Sequence, residues 1–251
     1  RNLLKIRKIN LKINSCEYLP FNRMKVRLKR EIVSLGQGII DTNKYSGKLV
    51  DPKDWNRIVL DKDIKLIDVR NEFEIGIGKF KNSINPKTNS FREFPNSILK
   101  LNIEKNDKIA MYCTGGIRCE KASAYLKKNG FKNVVQLEGG ILNYLKHVNR
   151  FGKKSQWDGD CFVFDNRITV NKKLVRGEYV QCYGCRRPLT KKDLKLKSYT
   201  KGVSCKHCYN ERTDIQKRRS KSRQSQIIQA NKLKKDHPFK KIYIKDINPE
   251  V

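Results

Sequence analysis

The stretch that most constrains this chain is Lys108–Arg118, where the apolar run Ile109-Ala-Met-Tyr112 ends in Cys113-Thr-Gly-Gly-Ile-Arg118 and passes directly into helical periodicity. A short apolar strand, a Gly-Gly turn and a helix leave one local geometry, in which a tight loop joins the end of a strand to a helix N-terminus. The neighbouring sequence repeats the alternation. Ile64–Val69 and Val134–Leu137 read as further short strands, and a helix from about Cys119 to Asn129 carries Ala122, Tyr125 and Leu126 on one stripe. Gly130 supplies its left-handed C-terminal stop, and a second helix opens near Gly140 with Ile141, Leu142 and Leu145 on one side. Strands alternating with helices predict an α/β domain with a parallel sheet covered on both faces, over residues 45–150.

The flanks differ in character. Ile9, Leu11 and Ile13, then Met24, Val26 and Leu28 after Pro20, alternate like strands and suggest that residues 1–40 are the remainder of an N-terminal α+β domain. Residues 36–50 are polar and contain Gly, as a linker would, and Asp51-Pro52 predicts an N-cap and first helical position for a helix running to about Leu60. Residues 155–210 hold a predicted hairpin, Cys161–Phe164 with Arg167–Val170 around Asp165-Asn166, followed by two Cys pairs. Residues 211–251 form a basic tail, expected to be helical in parts or disordered, and there is no internal repeat.

Charge adds a partner class. Lys and Arg number 57 against 25 Asp and Glu, a net charge of +32. Such an excess favours a polyanion, because neutralising phosphates releases counterions; AT-rich coding, which enriches Lys, Asn and Ile, is the competing origin. No apolar run approaches the ~18–20 residues that span a bilayer, and Arg1–Lys12 has no signal-peptide core, so a cytoplasmic protein with no membrane partner is expected. The chain does not begin with Met, which suggests that its natural N-terminus lies upstream.

Cys113 sits where a loop of backbone N–H groups and a helix N-terminus converge, as in an anion nest. A thiol there has a lowered pKa and is a competent thiolate nucleophile; the plainer alternative is a structural Cys beside a turn. Thr114, Gly115, Gly116, Ile117 and Arg118 are the expected cradle. Cys119 is either a thiol that resolves Cys113 chemistry or a small residue packed at the helix start. Cys182-Tyr-Gly-Cys185 and Cys205-Lys-His-Cys208, nineteen residues apart, match a tetrahedral metal site of four thiolates. Zinc in a structural role is predicted, with redox pairs or disulfides as alternatives. Arg186, Arg187, Lys191 and Lys192 lie in the intervening loop, interleaved with Tyr183, Tyr199 and Tyr209, and are candidate RNA contacts.

The Cys113 loop, together with Leu66-Ile-Asp-Val-Arg70, Gly78–Pro86 and Val135-Gln-Leu-Glu-Gly-Gly-Ile141, resembles the rhodanese-like sulfurtransferase domains. That resemblance implies a persulfide on Cys113, cradled by the loop amides, and a mostly structural role for Asp68 and Arg70. Related phosphatases place five residues between Cys and Arg, whereas Thr114–Ile117 is four, which favours sulfur over phosphate. Adding Trp157-Asp-Gly-Asp-Cys-Phe-Val-Phe-Asp165, Gln181–Pro188 and Gly202–Tyr209, the sequence resembles the rhodanese-domain tRNA uridine-34 hydroxylases. The implied activity is oxygen-dependent formation of 5-hydroxyuridine at the wobble position of tRNA, with molecular oxygen as co-substrate and a sulfur donor that is a protein or a small molecule. The family carries an N-terminal α+β domain ahead of the rhodanese unit. The sequence itself shows no flavin, haem or NAD motif, and His147, His207 and His237 are too dispersed for a 2-His-1-carboxylate iron site. Two other readings compete: a sulfurtransferase that passes sulfur from Cys113 to a protein, small-molecule or tRNA acceptor, and a zinc-containing RNA-binding protein on an inactive rhodanese fold.

Overall fold

The structure is a computed structural model that describes residue 21 and residues 26–235. The strand-like run at Ile9–Ile13, Met24, and the tail beyond Lys235 with His237 lie outside the described residues, whereas Val26 and Leu28, expected to continue a strand from Met24, are exposed and lie in no strand, with no neighbouring strand among the described residues to pair on. Residues 26–41 run without helix or strand, and Leu35 and Ile40 anchor this segment in the core.

The elements of the sheet domain are α1 (Thr42–Tyr45), β1 (Lys48–Val50), α2 (Trp55–Leu60), β2 (Ile64–Asp68), α3 (Glu72–Ile75), β3 (Gly78–Phe80), α4 (Phe94–Ile98), β4 (Lys108–Tyr112), α5 (Ile117–Lys128), β5 (Asn133–Leu137) and α6 (Gly140–Arg150), of which β2, β4, β5, α5 and α6 fall where the alternation predicts them. One four-stranded sheet has the order β1-β5-β4-β2, every pair parallel. The period-2 alternation of β4 sorts its side chains between two cores. Ile109 and Met111, with Cys113 beyond the strand end, join Ala122 and Leu126 of α5 on one face. Ala110 and Tyr112 join Trp55 of α2 and Ile141, Tyr144 and Leu145 of α6 on the other. Cys113 is thus the continuation of a buried row, and this directs its thiol under α5.

Two expectations are corrected. Residues 36–50 are not a linker, since they contain α1 and the edge strand β1, whose Lys48–Val50 pair with Val135–Leu137. The segment reads as polar because an edge strand of three residues has little apolar surface to declare. The helix expected from Asp51-Pro52 begins only at Trp55. The Asp51 carboxylate accepts from Lys53 N at 2.8 Å, which closes a turn in place of a helix N-terminus.

The chain after α6 returns to β3, which stands apart from the four-stranded sheet. β6 (Trp157–Gly159) pairs antiparallel with β3, bringing Trp157 to the ring of Phe80. Phe80 meets Trp55, Tyr112, Tyr144 and Trp157 edge-on at centroid distances of 6.2, 4.8, 4.8 and 5.1 Å. Such pairs contribute about 0.5–1.5 kcal/mol each beyond area burial, so this cluster fixes the ribbon and whatever follows it. The predicted hairpin follows as β7 (Cys161–Phe162) and β8 (Thr169–Val170). A short ladder, β9 (Val180–Gln181) with β10 (Pro188–Leu189), then frames the first Cys pair. The basic tail contributes α7 (Asp214–Lys232), opened by a capping box between Thr213 and Gln216. Among the described residues no helix is long and apolar enough to cross a membrane.

Candidate functional site

The Cys113 loop lies at the C-terminal end of β4, the end of a parallel sheet where ligands are bound. Gly116 caps α5 with φ +91°, a left-handed conformation that suits glycine, and its N–H reaches Cys113 Sγ at 3.2 Å. The outward carbonyls of the loop are taken by the next helix. Ile141 N donates to Cys113 O at 3.0 Å and Leu142 N to Thr114 O at 3.2 Å. A Cβ on Gly140, itself at φ +68°, would collide with these same carbonyls and with Gly115 N, so the approach of α6 requires glycine there. With its carbonyls occupied, the loop presents N–H groups to the sulfur, which is the arrangement of an anion nest.

Cys113 is only 2% exposed. Burial pushes its thiol pKa up, but a hydrogen bond from the Cys119 thiol, the Arg118 charge and the backbone N–H groups of Cys119 and Arg118 together bring it down to about 6. Cys119, fully buried, is held well above the ordinary thiol range by that burial and by the neighbouring Cys113, so at neutral pH it is the proton donor of the pair. A third buried thiol, Cys161, is pushed up to about 12, chiefly by burial, and stays protonated.

Arg118 does not stand free in the cradle. Its guanidinium is bidentate to Glu74, at 2.7 and 2.8 Å, and its third contact is Thr114 Oγ1 at 3.4 Å. Glu74 is fully buried and also accepts from Asn71 N at 3.1 Å, closing the capping box of α3. Reading the sequence did not single out Glu74, although Asn71-x-x-Glu74 is a capping-box pattern. Asp68 and Arg70 form a second buried ion pair at 2.6 Å, and Arg70 also donates to the carbonyls of Gly78 and Glu74, which joins β2, α3 and β3. That is a structural role, as expected.

The β7–β8 hairpin covers the loop. Thr114 Oγ1 donates to Phe162 O at 3.4 Å, and Arg118 lies over the ring of Phe164 at 5.6 Å. Within the loop Thr114 is buried, Gly115 is half-buried and the Ile117 side chain is exposed.

The second predicted cluster is also assembled. The Sγ atoms of Cys182, Cys185, Cys205 and Cys208 all lie within 4.8 Å of one another, with separations of 3.9 Å (182–208), 3.7 Å (185–205) and 3.8 Å (205–208). Bonded sulfurs stand near 2.05 Å, so these are not disulfides. A tetrahedron of thiolates around an ion at about 2.3 Å has edges of about 3.8 Å, and the four can hold a metal ion. Each pair sits in a knuckle, with Arg186 N on Cys182 O and Tyr209 N on Cys205 O.

The predicted RNA contacts divide. Arg186 is exposed, and its guanidinium lies over Tyr183 at 5.8 Å. Lys191 is exposed beside Glu178, and Lys192 is exposed before a 3-10 turn. Arg187 is half-buried, bound to Glu211 and to the carbonyl of His207, where it braces the knuckles. Tyr199 packs on the cysteine cluster, whereas Tyr209 is 45% exposed. Arg212 and Arg223 staple α7 to the module through the carbonyls of Gly184, Tyr183 and Gly202. A groove of about 450 Å³ separates the module from the sheet domain, with Phe73 on one wall and Arg187 and Lys206 on the other.

Residues 51–147 match the rhodanese-like domain family. Over 229 residues, 91% of this chain and 74% of the relative, the sequence is 49% identical to a tRNA uridine(34) hydroxylase of Pelagibacter ubique. Among solved structures, a rhodanese-related protein from Thermoplasma volcanium is 29% identical, with 40% of this chain and 92% of that one covered at a TM-score of 0.34. A rhodanese-like domain protein from Staphylococcus aureus is 26% identical, with 39% and 90% covered at a TM-score of 0.33.

Proposed function

The chain belongs to the tRNA uridine(34) hydroxylase family, and from that premise we propose that it hydroxylates the wobble uridine of tRNA to 5-hydroxyuridine, using molecular oxygen, with Cys113 carrying sulfur as a persulfide. The observation that supports the persulfide is the Cys113 thiolate itself, with a pKa of about 6 and inward N–H groups to receive a second anionic sulfur. In the loading step the thiolate attacks the outer sulfur of a sulfane donor, protein or small molecule. One S–S bond forms, the donor's own S–S bond breaks, and the donor leaves as a thiolate with no net change in oxidation state. Arg118, neutralised by Glu74, holds the loop in shape, and Cys119 keeps a proton on the sulfur's flank.

Cys182, Cys185, Cys205 and Cys208 fit a zinc ion, which four thiolates would hold with no open position, so that its contribution would be to cross-link the knuckles and not to act on the substrate. The exposed Arg186, Lys191 and Lys192, with the outer face of α7, supply a basic surface for the tRNA. A cytoplasmic location follows from that substrate.

The deciding experiment is nucleoside mass spectrometry of tRNA from cells holding the wild-type protein, the Cys113→Ala variant or none. Wobble 5-hydroxyuridine is expected only with the wild type. Equal levels in all three would sink the proposal, and loss of a thiolated nucleoside instead would make the protein a sulfurtransferase.

A further inference from the structure

Phe164 is 64% exposed, although its neighbours Phe162 and Val163 are buried. Its position is not that of a loose surface side chain. The turn that bears it is closed by Val163 N on Ile168 O at 2.9 Å and Ile168 N on Asp165 O at 3.1 Å, and it is braced by the Asp165–Arg167 ion pair. The ring meets Phe162 edge-on at 5.1 Å, and Phe162 meets Phe73 edge-on at 5.2 Å, forming an aromatic row from the inter-unit groove to the Cys113 loop. Arg118, the last residue of that loop, lies over the ring, so the open area belongs to the rest of the ring.

A base that is to react near a sulfur only 2% exposed must leave its own stack, and it then requires another π-face. A persulfide on Cys113 extends the reach of that sulfur outward by about 2 Å. Uracil is planar and uncharged, so stacking and edge hydrogen bonds, not ion pairing, would hold it. Among the described residues the exposed aromatic side chains are Phe21, Phe151, Phe164 and Tyr209, and of these Phe164 is the one seen in contact with the Cys113 loop, whereas Tyr209 belongs to the cysteine module.

We propose that the Phe164 ring, held rigid against Arg118 and Phe162, is the platform on which the unstacked wobble uracil lies beside Cys113. The inference rests on the uridine-34 hydroxylase reading, and its test separates the two. Three variants of the full chain, Phe164→Ala, Phe164→Leu and Phe164→Trp, are assayed with anticodon stem-loop RNA carrying either uridine or an abasic site at position 34. For the Ala and Leu variants KM for the uridine RNA is expected to rise about tenfold or more, the usual range for one lost stack. The Trp variant is expected to keep the wild-type KM and to show fluorescence quenching by the uridine RNA but not by the abasic RNA. The pH midpoint for iodoacetamide alkylation of Cys113 stays in place in all three.

A wild-type KM in the Leu variant, or equal quenching by both RNAs, would overturn the platform. A moved alkylation midpoint would also overturn it, since Phe164 would then act through Arg118. The binding comparison does not require turnover, so a wild-type protein that forms no 5-hydroxyuridine would fail the function while still deciding the platform.

Discussion

At the residue scale, the charge of Arg118 is largely spent on Glu74, so the low pKa of Cys113 depends on local hydrogen bonds as much as on a nearby cation. Cys119 is the donor that can be removed without disturbing the loop backbone. A hydrogen bond to an ionised group contributes about 1.5–3 kcal/mol, equivalent to about one to two pH units. Cys119→Ala should therefore raise the midpoint of Cys113 alkylation from about 6 by about that amount, with slower reaction between the old and new midpoints. Cys119→Ser, which keeps a donor, should stay close to wild type. An unmoved midpoint in the Ala variant would mean that the backbone N–H groups and Arg118 suffice. The sequence offered two roles for Cys119, resolving thiol or packed residue. Its burial beside Cys113 adds a third, as hydrogen-bond donor, which no spacing rule reveals.

At the element scale, the strands β2, β4 and β5 and the helices α5 and α6 were legible from periodicity, because each carries a clear apolar face or run. The short elements were not. α1 and β1 hold only four and three residues, and they exist because α5 and β5 offer them a surface to pack and pair on. The cysteine module shows a similar dependence, since its apolar cluster is little more than Cys182, Cys205, Cys208 and Leu189 with a few half-buried neighbours. A core that small requires a cross-link. Purified protein is expected to contain about one zinc ion per chain, by the four-thiolate geometry. Cys182→Ser should lose the ion and open residues 180–210 to limited proteolysis. Because Arg212 anchors α7 on Gly184 O, cleavage should extend into that helix. Zinc far below one per chain in the wild type, or an unchanged digest in the variant, would remove the metal from the module's architecture.

For the whole molecule, the charge of +32 resolves into residues with different tasks. Arg70, Arg118, Arg187, Arg212 and Arg223 are consumed in internal ion pairs or carbonyl contacts, whereas Arg218, Arg219 and Lys221 lie exposed on α7. If that helix tracks a phosphate backbone, tRNA affinity falls steeply with salt, each contact adding about 0.7–0.9 to the logarithmic slope. Replacing Arg218, Arg219 and Lys221 with Gln should reduce the slope by about 2 to 3. An unchanged slope would assign their charge to composition alone.

By itself the sequence determined the parallel α/β unit, the strand–Gly-Gly–helix loop that carries Cys113, and the two short-spaced pairs Cys182, Cys185 and Cys205, Cys208 that together can hold a metal ion. These depend on contiguous runs and short spacings, whose local geometry is dictated by the chain. Only the tertiary structure decided that Glu74 neutralises Arg118, that α6 takes the carbonyls of the Cys113 loop, and that Phe164 stands over it. Those contacts join residues 28 to 46 positions apart, brought together by burial of the two faces of one sheet, and no local pattern encodes them.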